Sequence, residues 1–185
     1  QNGGKTVDAA EKELYFSLSK AYDLYNYLLL LMVAVTKYAQ KRIDAGKAKL
    51  APTAEELYPN MKFVENKFIA QLEMNKQLMD FVEVQKRSWN NSEDFVKALY
   101  DKIISSDIYK EYMAAEETSY EADRELWRKL YKNFIYNNEE LDALLEEQSL
   151  YWNDDKETVD TFVVKTIKRF NEETGAEQEL LPEYK

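Results

Sequence analysis

The chain has 185 residues, 45% hydrophobic and 32% charged, with a formal net charge of −10. That length and balance suit a globular core rather than a disordered chain, and the acidic excess opposes long-range attraction to nucleic acid or to an anionic membrane. Cys and His are both absent, which excludes disulfides, thiol nucleophiles, thiolate or imidazole metal ligands and the usual general base.

Only four Gly and three Pro occur, so turns are scarce and long helices with short connections are expected. The predicted fold is an all-α bundle of six to eight helices. Residues 1–5 read as a tail or turn and carry no signal-peptide pattern. Thr6 is expected to cap a helix from Val7, with Ser17 and Ser19 marking a break. The next helix, over 20–45, holds the run Leu28-Leu29-Leu30-Leu31-Met32-Val33-Ala34-Val35. Eight apolar residues in succession leave no polar face, so this stretch is predicted to be enclosed by the other helices. It is far short of the roughly 20 residues needed to span a bilayer; with no Cys, the soluble cytoplasm is the expected location.

Pro52 ends that helix, and Thr53 can cap a short turn over 54–57. A helix is predicted over 62–87, with Phe63, Phe68, Ile69, Leu72 and Leu78 inward, continued by Val82 and Val84. Asn90-Asn91-Ser92 should cap a helix over 93–105 that buries Phe95, Val96, Leu99, Ile103 and Ile104. Ser106-Asp107 starts another, to 113. The polar stretch 115–119 is the joint at which a single domain over 1–185 would divide. Leu126, Trp127, Leu130, Phe134 and Ile135 stripe the following helix, which Asn137-Asn138 ends. A helix over 139–148 bears Leu141, Leu144 and Leu145. Asp154-Asp155 is expected to cap the last, over 156–170, and 174–185 reads as a tail or linker.

Two segments repeat at an offset of 63 residues. Asn75-Lys76-Gln77-Leu78 leads to Trp89-Asn90, as Asn138-Glu139-Glu140-Leu141 leads to Trp152-Asn153. Each copy reads as helix, Trp-Asn turn, helix, with the Trp plugging the corner. Trp89, Asn90, Trp152 and Asn153 are therefore structural or interface candidates. The period is not that of a helical solenoid.

Catalytic chemistry is sparse. A Glu-x-x-His di-metal bundle is impossible without His, and no phosphate loop, zinc spacing or nucleophile elbow occurs. Adjacent acidic pairs such as Glu116-Glu117 point in different directions on a helix and read as solvated surface. No enzyme activity, metal or cofactor is expected; a carboxylate metal protein is the remote alternative. The most basic stretch offers Lys37, Lys41, Arg42, Lys47 and Lys49 as RNA phosphate contacts, with neighbouring tyrosines able to stack on bases.

Several words of the sequence resemble a known family. Asn2-Gly3-Gly4-Lys5-Thr6, Ala9-Ala10-Glu11-Lys12-Glu13-Leu14, Ser19-Lys20-Ala21-Tyr22-Asp23-Leu24-Tyr25, Glu125-Leu126-Trp127-Arg128-Lys129-Leu130-Tyr131 and Tyr151-Trp152-Asn153-Asp154-Asp155-Lys156 are similar to the long, Bacteroides-type NusB transcription antitermination proteins. The resemblance implies an all-helical protein that acts in transcription antitermination. The parent would bind boxA-type RNA together with NusE, a ribosomal small-subunit protein, beside other Nus factors and RNA polymerase. It further implies that the family's basic RNA-contacting helix lies before Gln1 and its familiar C-terminal half after Lys185. This chain would then be the extra helical region, an interaction or scaffold module, and no RNA-contacting residue carries over to a numbered position here.

Overall fold

One helix of 46 residues, α1 (Asn2–Lys47), forms the axis. The computed structural model describes the backbone of residues 2–148 and 152–175 and the side chains of 21–148 and 156–175; all regular structure among them is helical. The predicted break at Ser17 and Ser19 does not occur, and Thr6 lies inside the helix rather than at its start. Serine costs a helix only a few tenths of a kcal/mol, which a long run of Ala, Leu, Glu and Lys overrides.

Around α1 lie α2 (Ala54–Leu57), α3 (Lys67–Met74), α4 (Lys76–Gln85) and α5 (Glu93–Ile104), then α6 (Asp107–Ala114), α7 (Tyr120–Leu130), α8 (Glu139–Gln148) and α9 (Trp152–Arg169). Helix α1 packs against α9 and α5 most extensively and against α2, α3 and α4 in turn, while α7 packs on α9 and α3. Leu28, Leu29, Leu31, Met32 and Val35 have no exposed surface, as an apolar run requires. Leu30 and Ala34 alone within the run stay half-buried.

Local caps fall where side-chain chemistry puts them. Thr53 and Glu56 form a reciprocal capping box; Ser106 and Ser119 cap α6 and α7. Ser92 makes no capping hydrogen bond, and Asn90–Ser92 is instead a 3₁₀ turn feeding α5. The predicted helix over 62–87 is broken twice. Asn66 accepts from the Ile69 amide at 3.0 Å and Asn75 from the Leu78 amide at 3.2 Å, so each Asn starts a new helix by competing for backbone groups. Beyond Asn75 the inward residues are Leu78 and Phe81, whereas Val82 and Val84 are exposed. Helix α9 starts at Trp152, so Asp154 and Asp155 lie within it rather than at a cap.

The joint at 115–119 is held by Lys62, whose ammonium donates to the carbonyls of Tyr112, Ala115 and Glu117 at 2.6, 2.8 and 3.1 Å. A lysine at the carbonyl end of α6 suits that helix's negative pole. One apolar cluster, with Phe63 and Tyr112 before the joint and Trp127 and Val163 after it, runs across this point. Between α7 and α8 lies a π turn, Tyr131–Ile135, ended by Tyr136 in an extended conformation, and Asn137 follows in the left-handed region at φ 51°.

The repeat survives in the bounds of its first helix: α8 begins and ends 63 residues after α4, and Asn138 caps α8 as Asn75 caps α4. The predicted Trp-Asn turn does not recur, because Trp152 and Asn153 lie within α9. Asn75 does more. Its Nδ2 donates to the Gly175 carbonyl at 2.9 Å, where Gly175 packs so tightly on Phe170 that a Cβ would lie 2.7 Å from the ring. Asn75→Ala is therefore expected to cost about 2 kcal/mol, cap plus stranded carbonyl. Asn138→Ala should cost about 1 kcal/mol, and urea denaturation of the two variants checks the difference.

Candidate functional site: a cleft beside helix α1

The half-buried stripe of α1 is the floor of a cleft of about 470 Å³. Leu30, Val33 and Ala34 floor it, Val82 of α4 and Val96 of α5 wall it, and Trp89 closes the corner. Along α1 the stripe continues to Lys37 and Lys41, a span of about 16 Å at the helical rise. Trp89 is held rigidly: its ring stacks on Tyr27 at 4.2 Å and 11°, and its Nε1 donates to the Tyr27 carbonyl at 2.9 Å. Burial pushes the Tyr27 hydroxyl up to about 12, so it stays protonated and donates to the Ser88 carbonyl at 3.3 Å.

The rim is charged. Among the described residues, Lys37, Lys41 and Arg87 line it with a single acid, Glu93. Lys41 pairs with Glu93 at 2.7 Å and Lys37 with Glu73 at 3.2 Å, all four side chains more than half exposed. The hydrogen bond to Glu93 raises the pKa of the Lys41 ammonium, which stays charged throughout the physiological range. Arg87 reaches Gln148 at the end of α8, Nη1 to Oε1, at 3.4 Å.

The five cations considered as phosphate contacts are thus split. Lys37 and Lys41 border the cleft. Arg42 turns to Asp101 at 2.8 Å, its guanidinium also 5.4 Å from the Tyr100 ring centre. Lys49 pairs with Glu56 at 2.5 Å, and Lys47 is exposed in the last turn of α1. Four of the five therefore face a carboxylate, which a phosphate would have to displace. Trp89 is buried and Asn90 is exposed at the head of the 3₁₀ turn. Trp152 and Asn153 start α9, with side chains outside the described residues.

Leu30, Ala34, Val82 and Arg87 were not singled out as site residues by sequence reasoning. The signal lay in the α1 register, where the face through 30 and 34 turns from aliphatic to Lys at 37 and 41, and in Val82 standing where the second repeat has Leu145.

A separate polar cluster lies in the interior and lines no part of the cleft. Lys156, 6% exposed, donates to Asp160 at 2.8 Å and to the Ile135 carbonyl of the π turn at 3.1 Å. Asp142 stands 3.8 Å from the same ammonium, too far for a hydrogen bond. Tyr131 donates to the other Asp160 oxygen at 2.5 Å. Burial holds Asp160 above the usual carboxylate range despite the opposing pull of Lys156 and Tyr131. Among the described residues, no group of three or more acidic side chains is placed to hold a metal ion, and no helix is long and apolar enough to cross a membrane. In comparisons with protein families, curated proteins and solved structures, the chain matches none.

Proposed function

We propose that this chain is the helical region of a NusB-type transcription antitermination factor. It acts in the cytoplasm as a protein-binding module beside an RNA-binding domain. The resemblance of its sequence words supports the family, and the cleft supports the mode of action. A stripe about 16 Å long, aliphatic from Leu30 to Ala34 and basic at Lys37 and Lys41, offers contact area rather than reacting groups. The observation that carries the reading is this floor, left open at Leu30 and Ala34 in an apolar run whose other residues are buried.

Direct RNA binding through Lys37, Lys41, Arg42, Lys47 and Lys49 is the weaker reading. Four of those charges already have carboxylate partners, in a chain of net charge −10. The test is to immobilise the chain and its Val82→Glu variant and present NusE and RNA polymerase. Recovery by the first and its loss from the second is the expected result. Recovery of neither component by the parent chain would count against the proposal, as would equal recovery by the variant. A salt-sensitive gel shift with boxA-type RNA, weakened by Lys41→Glu, would favour the RNA reading instead.

A further inference from the structure

The two halves of the repeat differ in one respect that bears on what fills the cleft. In the second half α8 packs along α9, whereas in the first half α4 and α5 do not pack along each other. The hairpin is closed in one copy and open in the other, and the cleft is the opening. Equivalent positions record the difference. Leu145 has no exposed surface, while Val82, the residue at the same place in the first copy, is 38% exposed. The uncovered position is thus one that the fold covers with a helix elsewhere in the same molecule.

The electrostatics narrow the class of occupant. The cleft brings three cations, Lys37, Lys41 and Arg87, to a rim with one acid, Glu93, on a molecule of net charge −10. Counting Glu73, the partner of Lys37, the described residues at the rim are three cations and two carboxylates. Its two ion pairs are exposed and weakly bound, so a second carboxylate can share each ammonium. An acidic ligand is drawn to this opening and repelled by the chain's overall charge elsewhere. The cations come from two lining segments, at Lys37 and Lys41 of α1 and at Arg87 after α4.

We propose that the open α4–α5 hairpin receives an acidic amphipathic helix of about three turns from a partner protein, with its aliphatic face on Leu30, Ala34 and Val82 and its carboxylates against Lys37, Lys41 and Arg87. The mode is helix-in-groove recognition, in which anchors spaced three and four residues apart fill the floor. The proposal rests on the protein-binding reading above and adds the chemistry of the partner.

The test is a selection on the full chain from a displayed library of helical peptides about four turns long. Leucines are fixed on one face and Glu or Lys is randomised on the other. Winners should carry an excess of Glu, and their affinity should fall on the order of tenfold for Val82→Glu and for Lys41→Glu. Lys41 is exposed, so its variant keeps the fold; circular dichroism and the thermal midpoint establish the same for Val82→Glu. Basic or unbiased winners, winners indifferent to both variants, or no winners would overturn the proposal. So would self-association of the chain through this face in sedimentation. If Val82→Glu abolishes recovery of NusE or polymerase while the winners are not acidic, this inference fails and the protein-binding reading stands. Acidic, cleft-dependent winners with unaltered recovery of those components would do the reverse.

Discussion

Replacing Lys156 by Met is expected to destabilise the fold by about 3–5 kcal/mol, a large part of the stability of an ordinary domain. The side chain that leaves takes with it the strongest partner of a carboxylate with almost no contact with water. Asp160 would keep only the Tyr131 hydroxyl, and the Ile135 carbonyl would lose its donor from the ammonium. Urea denaturation measures the loss. Removing the whole cluster, as Lys156→Met with Asp160→Leu and Tyr131→Phe, should recover most of it, because apolar residues of similar volume carry no desolvation penalty. A single variant within about 1 kcal/mol of the parent would show that the charge of Asp160 is solvated by some other route.

The pH dependence has a definite sign. Burial holds the Asp160 pKa above that of an unfolded carboxyl, so between the two values the folded chain binds the extra proton. This contribution to stability is fully present below the unfolded value and is lost as pH rises through the folded one. Without Lys156 the folded pKa climbs further and the window widens upward. The difference between parent and variant is therefore expected to be smallest below the unfolded carboxyl value, where Asp160 is neutral in both states, and to grow as pH rises through the folded value of the parent. Comparing the two proteins at each pH cancels the titration of the shared surface carboxylates. A difference that grows on acidification would contradict burial as the cause.

How far such features can be read in advance depends on the range of the interaction. Thr53 and Ser106 were legible as helix starts because a capping hydrogen bond joins residues only three apart, whereas Ser119 was read only as part of a polar joint and proves to cap α7. The bounds of α8 were legible for a similar reason, Asn138 being both the stop and the cap. Asn66 and Asn75 were missed because the apolar spacing runs on through them, and periodicity alone does not register a change of axis. The enclosed run of α1 followed from its lack of a polar face. The cleft did not, since Val82 and Leu145 look alike in the sequence and differ only in what the tertiary fold lays over them. The Lys156 cluster was likewise out of reach, because Tyr131 and Asp160 meet across 29 positions.

The α1 run supplies the other large effect, and the contrast between neighbouring leucines is its test. Leu31→Ala is expected to cost about 2–5 kcal/mol, because the side chain is fully enclosed and its loss leaves a cavity. Leu30→Ala, one residue away, should cost only about 1 kcal/mol, since its side chain is half-buried and water can occupy the space it vacates. The order reverses for binding. Leu30 is part of the cleft floor, so its truncation should weaken an acidic helical peptide by several-fold, a loss of about 1 kcal/mol. Leu31→Ala, at a denaturant-free temperature where it remains folded, should bind almost as the parent does. Chemical denaturation gives the first pair of numbers and fluorescence anisotropy with a selected peptide the second. Equal stability costs at the two positions would mean that the stripe through Leu30 and Ala34 is covered in solution, and the cleft would then have no room for a partner.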